Sequence, residues 1–393
     1  MTWEIADRLG SRVRSWHERF GGNLMAPRPV REHLTGVVDW LRRAQDATPD
    51  AGVAQTWFVK RRRWANSYPE TTGYIISTFY RYAELVGDSD AGDRARRMAE
   101  WEREIQLSDG GVVAGALGDS DRPTVFNTGQ VLFGWVRAFE VENDVRYREC
   151  ALRAAHWLCL AQDDDGCWRR FGSPMTGAGG VNTYNTRTAW ALARAHAISG
   201  EPVFRERAIR NCEWALTQAA ANGWLAANCL QDPRQPFVHT IAYAMRGLLE
   251  VGEYAGRGEF LEVAVRIGDA LIGALPRDGF LPGRFDAQWR PTVAWSCLTG
   301  NAQMAINWGR LYQITGEPKY RDAVLRINGF TKRTQRFAGP PEERGGIKGS
   351  HPIDGGYHPW QYPNWAAKFY ADALMMEEAI TVADEGSQLP FPG

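Results

Sequence analysis

Net charge is what this sequence most plainly lacks: 46 basic residues are matched by 46 acidic ones. Nothing electrostatic therefore favours nucleic acid or an anionic membrane as a partner. No apolar run approaches the roughly 20 residues that a bilayer span requires. The opening MTWEIADRLGSRVRSW scatters charges where a secretory signal would carry its apolar centre. A cytoplasmic protein is expected. The six cysteines (Cys150, Cys159, Cys167, Cys212, Cys229 and Cys297) form no CxxC pair and are too sparse for a disulfide scaffold. They read as buried thiols. Neither a metal nor another cofactor is expected; Cys297 with His239 or His351 is the combination that could imitate a zinc set.

What the sequence has in abundance is aromatic side chains and glycine: 17 Trp, 16 Phe, 13 Tyr and 41 Gly. They fit either a core of bulky helices joined by tight loops or a ring-lined cleft. Position decides between the two, because the chain repeats. Glycines that follow an amphipathic stretch recur at Gly52, Gly110, Gly166, Gly223, Gly279 and Gly345, spaced by 58, 56, 57, 56 and 66 residues. About twenty residues later a second anchor recurs: ETTGY, NTGQV, NTRTA, HTIAY, TGNAQ and NWAAK. Each unit reads as helix, DG-type turn, loop and second helix.

The first helices (about 30–46, 90–106, 145–161, 202–219, 258–274 and 318–334) are amphipathic with a 3.6-residue period. The second helices, such as TGQVLFGWVRAF and TIAYAMRGLLEV, are apolar nearly all round, so each must sit inside others. Short GD and GE connectors supply C-caps between antiparallel neighbours. Two concentric rings follow: an all-α (α/α)6 barrel, or toroid, forming a single domain with hairpins over about 30–380. Residues 1–28 extend it at one end and 381–393 at the other. An open solenoid would need polar capping repeats, and the last helix is as apolar as the middle ones.

The Q-x-x-D-G-x-W text at Gln162–Trp168 resembles the repeat motif of squalene–hopene cyclases and prenyltransferase β subunits. Over residues 30–380 the chain resembles the six-hairpin glycosidase superfamily and its relatives, the unsaturated glucuronyl hydrolases, N-acylglucosamine 2-epimerases and (α/α) polysaccharide lyases. The stretch GGIKGSHPIDGGY…YPNWAAKF looks like that of uncharacterised proteins from exopolysaccharide clusters. The resemblance implies the toroid and leaves the reaction open.

If the second helices form the inner ring, their N-termini converge on one mouth with free N–H groups and positive dipole ends, which favours an anionic group such as a uronate. The polar residues at those starts are Glu70 with Tyr74, Asn127 with Gln130, Tyr184 with Asn185 and Arg187, His239, Asn301 with Gln303, and Asn364 with Lys368. Helix capping explains Asn127, Asn185 and Asn364; it does not explain Arg187, Lys368 or His239. The glycine-rich stretch 345–363 adds His351, Asp354, His358, Trp360 and Tyr362. Loop aromatics Trp64, Tyr68, Trp168, Trp224, Trp289 and Trp360 could stack on sugar faces or pack the outer ring.

Two chemical kits can be assembled. Glu70 and Asp354 are the carboxylate pair a glycoside hydrolase needs, with Asp286 a third candidate. Asp109, Asp165 and Asp278 recur at equivalent positions and read as turn builders. A lyase or epimerase would instead use His239, His351, His358, Tyr184 or Tyr362 as base and acid, and Arg187 or Lys368 to neutralise an enolate. The leading expectation is a glycoside hydrolase acting on an acidic or exopolysaccharide-type glycan. A lyase or epimerase, a terpenoid cyclase or prenyltransferase, and a non-catalytic glycan-binding toroid are the alternatives.

Overall fold

The Q-x-x-D-G text explains how the ring is assembled. In the computed structural model, which describes residues 13–21, 24–173 and 181–383, Asp165 Oδ1 accepts from the Cys167 amide at 3.1 Å and closes the turn. Gly166 sits at φ +90°, and a Cβ there would lie 2.3 Å from the Arg210 carbonyl oxygen of the next outer helix. Gln162 Nε2 donates to the Gly166 and Arg207 carbonyls at 3.0 Å each. The glutamine thus staples its own turn to the following outer helix. Gln106 does the same to Gly110 and Cys150, and Gln335 to Gly345 and His33. This last staple joins the end of the chain to its beginning. Asp109 and Asp278 close the equivalent turns, as expected of turn builders.

Among the described residues the helices are α1 (Val30–Asp46), α2 (Pro69–Val86), α3 (Ser89–Ile105), α4 (Val125–Glu142), α5 (Val145–Ala161) and α6 (Thr186–Ser199). They continue with α7 (Pro202–Thr217), α8 (Val238–Ala255), α9 (Gly258–Gly273), α10 (Leu298–Thr315), α11 (Pro318–Thr334) and α12 (Asn364–Ala383). A further helical segment covers residues 13–19. Even-numbered helices form an inner ring in which each packs on the next, and α12 packs on α2 to close it. The toroid is closed, and the open superhelix is excluded. Of the outer helices, each inner helix packs most extensively on the one that follows it, and α12 on α1. The hairpins therefore run inner to outer, and the first and last helices make the sixth.

Burial follows the sequence pattern. α8 is buried continuously from Val238 to Gly252, whereas α3 buries one stripe including Ala91, Ala95, Met98 and Ala99. Inner helices end on left-handed residues (Gly87, Asn143, Gly200, Gly256 and Gly316) that turn the chain tightly into the next outer helix. No helix among the described residues is long and apolar enough to cross a membrane.

Short strands tie the loops over the inner-helix starts. β1 (Thr56–Phe58) pairs antiparallel with β2 (Arg63–Trp64), and β3 (Ser296–Cys297) with β4 (Ser350–His351). β5 (Gln361–Pro363) lies antiparallel to β1, with Tyr362 opposite Trp57, so the first and last long loops form one sheet. The segment 13–19 locks the last of them. Glu18 is buried; it accepts from the Ile353 amide at 2.7 Å and pairs with Lys348 Nζ at 2.5 Å. Replacing Glu18 by glutamine should destabilise the protein by about 2 kcal/mol, because it removes a charge that a buried lysine faces. Amide hydrogen exchange should rise first in residues 348–358; exchange confined to other segments would refute the locking role.

Candidate active site

Five of the six inner-helix starts, with the loops before them, surround a partly open cleft. α2 contributes Glu70 and, one turn on, Tyr74. α8 contributes His239 and Tyr243 in the same relation, and α4 contributes Phe126. Tyr184 enters from the helical turn Thr183–Asn185 ahead of α6, and Trp365 from the first turn of α12. Tyr357 and His358 hang over the cleft from the last loop. His358 is held at φ +46°, a left-handed conformation that non-glycine residues rarely adopt.

Among the described residues that line it, Glu70 is the only carboxyl group, and none is a lysine or arginine. Burial pushes its pKa up to about 7, against the lowering pull of the Tyr68 hydroxyl and the Arg187 charge. Tyr68 donates to Glu70 Oε2 at 2.5 Å. His239 faces Gln303, with Nδ1 2.8 Å from Oε1. Because the amide oxygen only accepts, Nδ1 carries the proton and Nε2 keeps a free lone pair. Burial holds the imidazole down to about 3, so His239 is neutral throughout the neutral range. His358 lies 3.4 Å from Gln361 Oε1 and is likewise held down to about 4 by burial. The Tyr357 ring stands between the imidazoles, its centroid 5.3 Å from His239 and 4.7 Å from His358. Trp365 Nε1 fixes it by donating to its hydroxyl at 2.9 Å.

The candidates read from the sequence divide into three groups. Glu70, Tyr74, Tyr184, His239 and His358 converge on the cleft. Gln130, Arg187 and Lys368 lie beneath it: Arg187 Nε donates to Gln130 Oε1 at 2.7 Å, and Lys368 Nζ pairs with Asp372 at 2.6 Å. The remainder face elsewhere. Asp354 pairs with Arg19 at 2.8 Å, away from Glu70, so the proposed carboxylate pair is not assembled. His351 packs on Phe330 and lies 3.8 Å from Glu18, on the far side of the last loop. The Tyr362 hydroxyl accepts from Arg14 at 2.9 Å and donates to Glu343 at 3.1 Å. Trp360 lies under Lys60. Asp286 holds Arg290 in a surface turn.

The capping reading of the asparagines also changes. Asn127 Nδ2 donates to the Val113 carbonyl and Asn364 Nδ2 to Ala54, which ties inner-helix starts to the loops ahead of them. Asn185 occupies the short turn before α6, and Asn301 Oδ1 accepts from Ser296. Cys297 Sγ takes the amide of Gly300 at the start of α10. Of the loop aromatics only Tyr68 lines the cleft; Trp224 and Trp289 pack on each other, and Trp168 is buried with its Nε1 on Leu158.

Tyr243, Tyr357, Phe126 and Trp365 are the aromatic lining residues that reading the sequence misses, beside Gln55, Ser173, Leu230 and Thr240. A signal for Tyr243 exists, because it follows His239 by four residues as Tyr74 follows Glu70. Trp365 and Phe369 repeat that spacing at the start of α12.

No protein-family model matches the chain, and no curated protein matches it in sequence. Solved structures match it in fold. An unsaturated glucuronyl hydrolase specific for heparin superposes with a TM-score of 0.72 at 17% identity, covering 90% of this chain and 98% of its own. A sugar epimerase from a ruminal bacterium gives 0.72 at 14%, covering 92% and 99%. Cellobiose 2-epimerase from Bacillus thermoamylovorans B4167 gives 0.71 at 11%, covering 89% and 98%. These proteins are enzymes by name, and the toroid is what the chain shares with them.

Proposed function

We propose that the chain is an enzyme that transfers protons on a neutral sugar, as an epimerase or an aldose–ketose isomerase. One observation carries the reading: a single carboxyl group of pKa about 7 shares an aromatic cleft with two neutral imidazoles, and among the described residues no second carboxylate lines it. Hydrolysis by a carboxylate pair lacks its second member there. The absence of a lining cation argues against an acidic glycan, although the helix N-termini would tolerate one. Aromatic faces with few polar groups suit an uncharged sugar ring.

In this reading Glu70, protonated near neutrality, gives its proton to a sugar oxygen as the ring opens or the enediolate forms. The Nε2 atom of one imidazole removes the proton at C2, and the imidazolium so formed returns it to C1, giving the ketose, or to C2 once the enediol has turned its other face, giving the epimer. Glu70 recovers its proton from the sugar hydroxyl as the carbonyl re-forms. The sugar epimerases among the solved structures of this fold support the reading. A second reading, in which Glu70 is the sole acid of an unsaturated-uronide hydrolase, draws on the glucuronyl hydrolase likeness; it lacks a cation for the uronate.

The test is proton NMR in D₂O with neutral aldoses and β-linked disaccharides. The expected result is deuterium at C2 together with an epimer or a ketose. Release of new reducing ends from a glycoside without exchange at C2 would overturn the proposal.

A further inference from the structure

The far end of the inner ring holds a second, partly open chamber. Tyr74 is part of both walls. The chemistry of the two is opposite. Six cations line the chamber (Arg81, Arg137, Arg187, Arg194, Arg246 and Lys368) against two carboxylates, Glu140 and Asp372. Both carboxylates are already bridged, Asp372 by Lys368 at 2.6 Å and Arg81 at 3.5 Å, and Glu140 by Arg194 at 2.5 Å and Arg137 at 3.8 Å. Arg246 is paired with Glu250 at 2.9 Å.

Arg187 breaks the pattern. It is 5% exposed, and among the described residues no carboxylate pairs with it. Its guanidinium has one amide partner, Gln130, and otherwise lies among the rings of Tyr243, Phe133, Trp190 and Phe369, 5.0 to 5.5 Å from their centroids. A buried cation without a counter-ion is costly. Cations near inner-helix C-termini could merely offset the carbonyl ends and the dipoles. That explanation fails for Arg187, which stands in the first turn of α6. α6 starts deep in the barrel, where Gly247 in the third turn of α8 meets Thr186 and Arg187. The guanidinium therefore lines the chamber from the buried start of α6, at its floor. Arg137 and Arg194 form a partly exposed rim, with side chains 18% and 26% accessible.

We infer that this chamber binds a small phosphorylated anion, with Arg187 as its buried counter-charge and Arg137 and Arg194 at its entrance. Arginine forks match phosphoryl oxygens bidentately, and several of them converging on one space suit a multiply charged group better than a single carboxylate. The site is separate from the sugar cleft, and binding can be measured without turnover. Its failure would leave the proton-transfer reading untouched.

The experiment is calorimetric titration and thermal shift of the full chain with inorganic phosphate, a hexose 6-phosphate and a nucleoside triphosphate, with chloride as the control for ionic strength. Saturable binding of at least one phosphate compound is expected, with a rise in Tm that follows its occupancy. R137Q/R194Q should weaken binding at least about tenfold, while R169Q, in a surface turn, leaves it unchanged. Tight binding of phosphate alone means that the phosphoryl group is the ligand; tighter binding of an ester means that the attached moiety is read as well. No saturable binding by any of the three, or affinity unchanged in R137Q/R194Q, would overturn the inference.

Discussion

Replacing Glu70 by glutamine is expected to lower kcat/KM by about 10³-fold, the scale of losing a positioned acid–base group, and to make the protein more stable at pH 8. The second effect follows from the pKa. Unfolded, the carboxyl ionises near 4.5; folded, burial pushes it up to about 7. Below pH 4.5 it is protonated in both states and has no effect. Between 4.5 and 7 the unfolded chain releases a proton that the folded chain keeps, so stability falls as pH rises. Above 7 the penalty is constant, at most about 3 kcal/mol. Glutamine keeps the shape and an oxygen for the Tyr68 hydroxyl but never ionises. Its Tm should exceed that of the natural protein by roughly 2–5 °C at pH 8, and the difference should vanish by pH 4. Wild-type kcat/KM should fall above pH 7, where the acid is lost. A Tm lowered equally at both pH values would mean that Glu70 is a packing residue, and the assigned role would go with it.

The toroid was legible because its cause is repeated. A helix apolar all round has to be enclosed, and six of them alternating with amphipathic partners leave few arrangements. The turn residues are local as well: Asp165, Gly166 and Gln162 act on atoms within four residues and on the next outer helix. The site was half legible. Residues in the first turn of inner helices, such as Glu70 and His239, are placed by the ring itself.

The stretch 345–363 was not legible, because its partners come from distant parts of the chain. Asp354 and His351 look inward in the sequence only while the segment 13–19 is treated as an extension. That segment supplies Arg19 to Asp354 and Glu18 to Lys348 and the Ile353 amide. The strand pairing of Tyr362 with Trp57 similarly fixes which side of the loop its hydroxyl takes. The placing of Arg187 at the cleft mouth fails for a related reason. Arg187 follows Tyr184 by three residues, yet Tyr184 lines the cleft and Arg187 the second chamber, with Tyr74 common to both.

The depth at which α6 begins rests on a glycine, and Gly247→Ala should be among the most damaging single-methyl changes in the protein. An alanine Cβ would stand 2.1 Å from the Thr186 carbonyl carbon, 2.3 Å from its oxygen and 2.5 Å from the Arg187 nitrogen. All three are backbone atoms, so no rotamer change relieves the overlap, and α6 or α8 must move. The Thr186 hydroxyl donates to the Ala244 carbonyl at 2.9 Å and pins the same crossing. A cost of about 4 kcal/mol is expected, at the upper end for overpacking because the neighbour is main chain. Gly273→Ala, near the end of α9 where a Cβ meets nothing within 4 Å, should instead be neutral or stabilise by up to about 1 kcal/mol. Chemical denaturation of both variants measures the contrast. Where Gly247→Ala still folds, the shift of α6 moves Tyr184 at the cleft and Arg187 at the chamber floor together, so sugar turnover and phosphate affinity should fall in the same variant. Loss of only one would show that α6 does not set the spacing between the two chambers.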